Sequence, residues 1–205
     1  MKKLFTILYI FLLLSPYYVF SSGTPQPGNF ILLFGLPILF LIFKSNKERI
    51  SKIFSKNIFF VLFFISVLSI NSLYFLYYGD LSFIKSNIYY IFNFIVVILF
   101  AFSLEVSNFR INLVKIMKIN IIIFFSPIGR YYQNVRYMGT FNDPNQFAYF
   151  IFISLSFIFL ENKDSTLVKT VFTLISTFLI FNSGSTGMLL GVSVLTLGLI
   201  IVRLR

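Results

Sequence analysis

Long hydrocarbon runs leave this chain one possible solvent over most of its length. Eight of them can be marked, at residues 4–20, 30–43, 58–78, 88–104, 114–128, 144–160, 167–181 and 187–202. A helix crossing the apolar layer of a bilayer needs about 20 residues. Lipid offers no partner to a backbone N–H or C=O, so each run must satisfy its own backbone as helix. Charged residues make up only 11% of the 205 positions and hydrophobic ones 58%, whereas soluble domains carry about 25% charged residues. The expected fold is all-α: a polytopic transmembrane helix bundle of about eight spans, forming a single transmembrane domain over residues 1–205. The shorter runs need flanking residues to complete a crossing. The connecting loops are too short to build a soluble core of their own.

Charge orients the bundle. Lys2 and Lys3 precede the first run, and Lys44, Lys47, Arg49, Lys52 and Lys56 follow the second. Arg110, Lys115 and Lys118 follow the fourth, Lys163 and Lys169 the sixth, Arg203 and Arg205 the eighth. Only Lys85, Arg130 and Arg136 fall in the alternate loops, so 14 of the 17 basic residues share one side. The positive-inside rule makes that side cytoplasmic and places both termini there, in the cytoplasmic (plasma) membrane. The net charge of +11 is thereby a topology signal, and no nucleic-acid partner is expected. The lipid bilayer is the first partner.

Two segments admit two readings each. Lys2-Lys3, an apolar run and Val19-Phe-Ser21 fit a retained first span, and they also fit a signal peptide with a small-residue cleavage site. Residues 105–118 place Val106, Phe109, Leu113 and Ile116 on one helical face. They are either an interfacial helix ahead of a short fifth span or a basic loop with a snorkelling helix start. Absences narrow the chemistry. There is no Cys, hence no disulfide and no thiolate metal site, and no His, the commonest general base and metal ligand. No metal site is expected. Asn71, Asn93 and Asn120 lie within or at the edge of spans, where interhelical hydrogen bonding is their expected role.

The polar exception is Arg136-Tyr-Met-Gly-Thr-Phe-Asn-Asp-Pro-Asn-Gln-Phe147. Pro144 suits the first position of a helix, where its missing N–H costs nothing. Asp143 or Asn142 can cap the free amides, and Gly139 permits a left-handed turn just before the cap. A helix start gathers unpaired N–H donors and suits an anion. Arg136 and Arg130 are the arginines assigned to the outer side, and a guanidinium matches phosphate geometry. Two readings stand: a dedicated pyrophosphate site, or an ordinary capped helix in which Asp143 satisfies the donors itself. The tyrosines also gather on the outer side, all 12 but Tyr9. They form either an aromatic belt at the headgroups or rings lining a sugar groove, with Tyr131, Tyr132 and Tyr137 nearest the motif.

Arg-x-x-Gly-Thr-Phe-x-Asp-Pro-Asn-x-Phe-Ala, at residues 136–148, resembles the signature of the O-antigen ligase and Wzy-type polysaccharide polymerase family. In that family a similar segment opens a transmembrane helix after an extracytoplasmic loop. A second feature, a Ser-Arg-Gly-like turn, follows one hairpin later and is matched here by Asn182-Ser-Gly-Ser-Thr-Gly-Met188, with Thr186 where the family often has Arg. The resemblance covers residues 130–200. Ser183, Gly187 and Gly191 recur every four residues, and small residues at that spacing predict close helix packing.

The resemblance implies glycan transfer from undecaprenyl pyrophosphate to an acceptor hydroxyl, on the outer face of the cytoplasmic membrane, in surface-polysaccharide assembly. The partners it implies are an undecaprenyl-pyrophosphate-linked oligosaccharide and other polysaccharide-assembly membrane proteins. It implies no metal and no other cofactor. Arg136, Arg130, Gly139, Asn142 and Asn145 are the expected substrate-binding residues, and Asp143 and Pro144 the helix start. No catalytic residue can be assigned. Family members are longer, with a large external loop carrying further Arg and, in ligases, a His, so the chain is expected to be the N-terminal part of such a protein and inactive alone. A non-catalytic oligosaccharide-binding or scaffold subunit and a glycolipid transporter are the alternatives. A transporter calls for mid-membrane charges, which the runs lack.

Overall fold

The structure, a computed structural model, describes residues 2–20, 24–126, 129–133, 135–160 and 164–204. Its elements run α1 (Lys2–Leu14), α2 (Pro27–Ser45), α3 (Lys47–Lys56), α4 (Ile58–Tyr78), α5 (Ser82–Leu104), α6 (Ser107–Phe125), β1 (Arg130–Tyr132), β2 (Arg136–Gly139), α7 (Pro144–Leu160), α8 (Thr166–Ser183) and α9 (Thr186–Leu204). The protein is mostly helical. Three helices, α4, α5 and α8, are long and apolar enough to cross a membrane, and α1, α2, α7 and α9 contribute shorter apolar stretches. By length and composition this is a membrane protein.

The chain divides into two compact units, residues 37–109 and residues 2–36 with 110–205. In the first unit α4 and α5 form an antiparallel hairpin. Gly79 ends α4 in the left-handed conformation at φ 69, which glycine adopts without a Cβ clash. The Asp80 carboxylate then accepts from the Ser82 amide at 2.8 Å and starts α5. Asn71 donates to the Asn87 side chain at 3.1 Å, and Asn87 donates in turn to the Leu68 carbonyl and the Ser72 hydroxyl. These are the interhelical bonds that amides within lipid must find. α4 packs on α5, with Phe64 stacked on Phe94 at 4.1 Å, yet no residue of α4 is fully buried; an apolar helix covered on one side only leaves the rest to lipid.

The second unit is centred on α7. Phe147, Ala148, Ile151, Leu155 and Ile158 are fully buried and lie along one face at helical spacing. They meet α8, α9 and the β1–β2 hairpin. Leu4 and Leu8 of α1 are also fully buried. The buried Asn120 amide of α6 donates to the Leu12 carbonyl at 3.3 Å. A Cβ at Gly35 would lie 3.0 Å from the Ile7 side chain, so α1 and α2 approach closely there. Lys118 of α6 pairs with Asp164 at 2.5 Å, holding α6 to the entry of α8.

Several expected boundaries change. The first apolar run is helical only to Leu14; Ser15 and Pro16 form a turn and residues 17–19 are non-helical. Pro16 lacks an N–H and disfavours helix at Ser15, which accounts for the stop. The proposed cleavage region at Ser21 lies outside the described residues. Residues 107–125 form one continuous helix, so the amphipathic stretch at 105–118 runs into the fifth apolar run without a break. The basic stretch after the second run is itself a helix, α3. Finally, residues 130–132 and 136–139, expected as loop, pair as two antiparallel strands.

Candidate functional site

The hairpin carries the arginines. Its register pairs Tyr131 with Tyr137 and Tyr132 with Arg136, with an irregularity between Arg130 and Tyr131. Gln133 enters the connection at φ 49. Alternation along β2 sends Tyr137 inward and Arg136 to the partly exposed side. The Tyr137 ring packs edge-on against Phe147 at 5.2 Å, and its hydroxyl donates to the Phe124 carbonyl at 3.1 Å. Burial raises the Tyr137 phenol above the ordinary tyrosine range, and neighbouring Tyr131 pushes it the same way.

Gly139 closes β2 at φ +57, and a Cβ there would meet the Phe147 ring at 3.0 Å and Phe124 at 3.1 Å. Both the left-handed backbone and the tight space require glycine. Gly139 is therefore placed for the turn into α7, buried beneath the aromatic cluster. Pro144 is the first residue of α7. The Asp143 carboxylate accepts from the Asn145 amide at 2.7 Å and the Gln146 amide at 3.1 Å, so Asp143 is the N-cap and Asn142 is not. The donors of this helix start are thus partly satisfied from within, and an anion bound here must draw on side-chain charge.

Arg136 supplies it. Its Nε donates to the Ser183 carbonyl at 2.7 Å and its Nη2 to the Asn145 side-chain oxygen at 3.1 Å. Gly184, at φ +67, is the αL cap of α8, and a Cβ there would come within 2.9 Å of Arg136 Nε. The structure therefore joins the two motifs that the sequence separates: the β2–α7 segment and the 182–188 turn meet at one guanidinium. Among the described residues two of its N–H groups are engaged, and a guanidinium carries five. Ser183 is buried, and its hydroxyl donates to the Ile180 carbonyl at 2.6 Å.

Arg130 takes a different role. Its Nη2 donates to the Thr140 carbonyl at 2.8 Å, with the Tyr18 and Phe141 carbonyls at 3.5 Å. It clamps the turn while remaining exposed. Neither arginine is ion-paired with Asp143 among the described residues. Asn142 points away from Arg136 chemistry: its amide donates to the Phe20 carbonyl at 3.2 Å.

Residues 16–20 are the part of the site that sequence reasoning missed. They strap the motif from outside. The Thr140 hydroxyl donates to the Pro16 carbonyl, Asn142 holds Phe20, and the Tyr18 ring lies 5.1 Å from Phe141. Gln26 fixes the strap, accepting from the Val19 amide at 2.9 Å and the Phe20 amide at 3.0 Å. The available signal was Pro16, which ends the first helix.

Of the small-residue packing expected at Ser183, Gly187 and Gly191, the structure packs Ser183 and Gly191 but leaves Gly187 open. A Cβ at Gly191 would meet the Phe152 ring at 3.2 Å, so α9 approaches α7 there. Around Gly187 nothing lies within 4 Å, and Ser183 sits at the α8 cap. Ser183 ends α8 whereas Gly187 and Gly191 lie on α9, so the spacing by four does not put all three on one helical face. Tyr131 and Tyr132 stay exposed beside Arg136. No group of three or more metal-ligating side chains is brought together among the described residues. Comparison with protein family models, with characterised proteins and with solved structures found no match.

Proposed function

We propose that this chain is a multi-pass protein of the cytoplasmic membrane that binds a polyprenyl-pyrophosphate-linked glycan on the outer face, in surface-polysaccharide assembly. About eight apolar segments cross the bilayer, with both termini cytoplasmic. The reading rests on the resemblance of residues 136–148 to the O-antigen ligase and Wzy-type polymerase family. The observation that carries it is the placement of Arg136, half-buried and held by Ser183 and Asn145 with guanidinium N–H groups to spare. Pyrophosphate needs a fixed cation with several donors, and exposed Tyr131 and Tyr132 offer sugar faces a surface to stack on.

Transfer of the glycan to an acceptor hydroxyl is the reaction the resemblance implies. A second reading, a non-catalytic binding or scaffold subunit, is favoured by one observation: the Asp143 carboxylate serves as a helix cap through Oδ1, a structural role that accounts for it without chemistry.

The test is binding of undecaprenyl pyrophosphate to the purified chain in nanodiscs, with undecaprenyl monophosphate for comparison. Wild type should prefer the pyrophosphate. Arg136→Gln should lose roughly tenfold or more, the scale of charge-assisted hydrogen bonds at about 1.5–3 kcal/mol. Equal binding by wild type and a folded Arg136→Gln variant would sink the proposal. Topology is checked separately: the chain has no cysteine, so single substitutions report cleanly. Gln133→Cys and Ser82→Cys should react with an impermeant maleimide from outside, and Ser55→Cys and Thr166→Cys only after permeabilisation.

A further inference from the structure

We propose that the elbow joining α2 to α3 is a binding site for one anionic phospholipid. A cavity of about 630 Å³ lies there, lined by Phe40, Lys44, Lys47, Ile50, Ser51 and Phe54. Beside it lies a second, polar cavity of about 390 Å³, formed by the residues from Lys44 to Arg49. Lys44 and Lys47 line both. Two phenylalanines and an isoleucine at one end, with two ammonium groups and a hydroxyl at the other, match an amphiphile whose headgroup is negative.

The charges that remain available support this. Arg49 is committed inward: it pairs with Glu105 at 2.5 Å and its guanidinium lies 4.6 Å from the Phe102 ring centre. Glu48 is the one carboxylate lining the polar cavity. Lys44 and Lys47 have no ion-pair partner among the described residues and are exposed. Two ammonium groups against one carboxylate leave the elbow net positive, which selects an anionic headgroup over a zwitterionic one.

Position completes the case. α3 buries Ile50 and Ile53 and presents Lys47, Lys52 and Lys56 outward, the pattern of a helix lying in a membrane interface. Asn57 then ties back to Ile53, its amide donating to the carbonyl at 2.8 Å, and the chain enters α4, apolar on all sides. The elbow therefore sits where a membrane-crossing helix meets the headgroups. The acyl chains would lie along Phe40 and Phe54, with the phosphate between Lys44 and Lys47.

The experiment reconstitutes the full chain in phosphatidylcholine bilayers and measures, by electron spin resonance, its association with spin-labelled phosphatidylglycerol and spin-labelled phosphatidylcholine. Wild type should favour phosphatidylglycerol. The K44Q/K47Q double variant should lose about fivefold per lysine, the weight of one basic residue at an anionic surface, bringing the preference close to none. K52Q/K56Q, outside the cavity, should keep most of it. The proposal is overturned if wild type shows no preference or if K44Q/K47Q retains it. It is overturned equally if K52Q/K56Q loses as much, because diffuse surface charge then explains the effect. Displacement of the labelled lipid by millimolar inorganic phosphate at constant ionic strength would assign the elbow to a free anion and overturn the lipid reading. Circular dichroism of each variant confirms that the helices persist.

Discussion

The Nε of Arg136 donates to the Ser183 carbonyl at 2.7 Å across 47 residues of chain. That carbonyl belongs to the last turn of α8, where helix geometry leaves acceptors unpaired. A cation there also meets the negative end of the helix dipole. The same guanidinium reaches Asn145 in the first turn of α7. One side chain thus locks a strand, a helix start and a helix end.

Replacing Arg136 should therefore cost stability as well as binding. Lysine keeps the charge but cannot span two divergent acceptors. Arg136→Lys should lose about 1–3 kcal/mol, read as a lowered midpoint for loss of helical circular dichroism in detergent. An unchanged midpoint would mean that the bridge does not hold the hairpin.

Gly184→Ala separates geometry from charge. A Cβ would come within 2.9 Å of Arg136 Nε, at φ +67. The left-handed backbone should cost about 1–2 kcal/mol, and the displaced guanidinium should bind undecaprenyl pyrophosphate more weakly although no charge is removed. Gly187→Ala is the contrast. Nothing surrounds that position within 4 Å, so alanine should be neutral or stabilising by up to about 1 kcal/mol through helix propensity. Destabilisation at Gly187 would restore the packing role expected from the four-residue spacing.

Asp143 divides into a cap and a charge. Asparagine caps about as well as aspartate, whereas alanine costs about 1 kcal/mol. Asp143→Asn should leave the melting midpoint in place and tighten pyrophosphate binding by removing a nearby negative charge. Asp143→Ala should lower the midpoint. Weaker binding by a stable Asp143→Asn variant would show that the carboxylate serves the ligand directly.

Tyr137 makes stability depend on alkaline pH. Its native pKa is raised by burial and by Tyr131, so the folded state favours the neutral phenol. The resulting stability is complete below the unfolded value of about 10 and is lost as pH rises through the native value. Tyr137→Phe lacks this contribution at every pH. The stability difference between wild type and Tyr137→Phe should therefore shrink above pH 10, measured by thermal melts across a pH series. A constant difference would exclude the titration.

Particular residues show what could be read directly. The apolar run 144–160 coincides with α7 and 58–78 with α4, because Pro144 and Gly79 mark their ends locally. The Asp143 cap follows from the same local chemistry. The hairpin was missed because a strand pair of three and four residues carries too little periodicity, though Tyr131, Tyr132 and Tyr137 are its trace. The division of labour between Arg130 and Arg136 was invisible, since both are outer-loop arginines in one dimension.

Composition and spacing by themselves determined a helical membrane protein, the capped start of α7 and the polar segment at its mouth, because lipid solvation and helix capping act within a few residues of chain. Only the tertiary structure decided that Arg136 meets the 182–188 turn, that Arg130 holds the Thr140 carbonyl, and that residues 16–20 strap the motif. The first and last of these join segments dozens of residues apart, the Arg130 bond closes the hairpin onto the turn ten residues on, and all depend on how α7 packs its buried face against α8 and the hairpin.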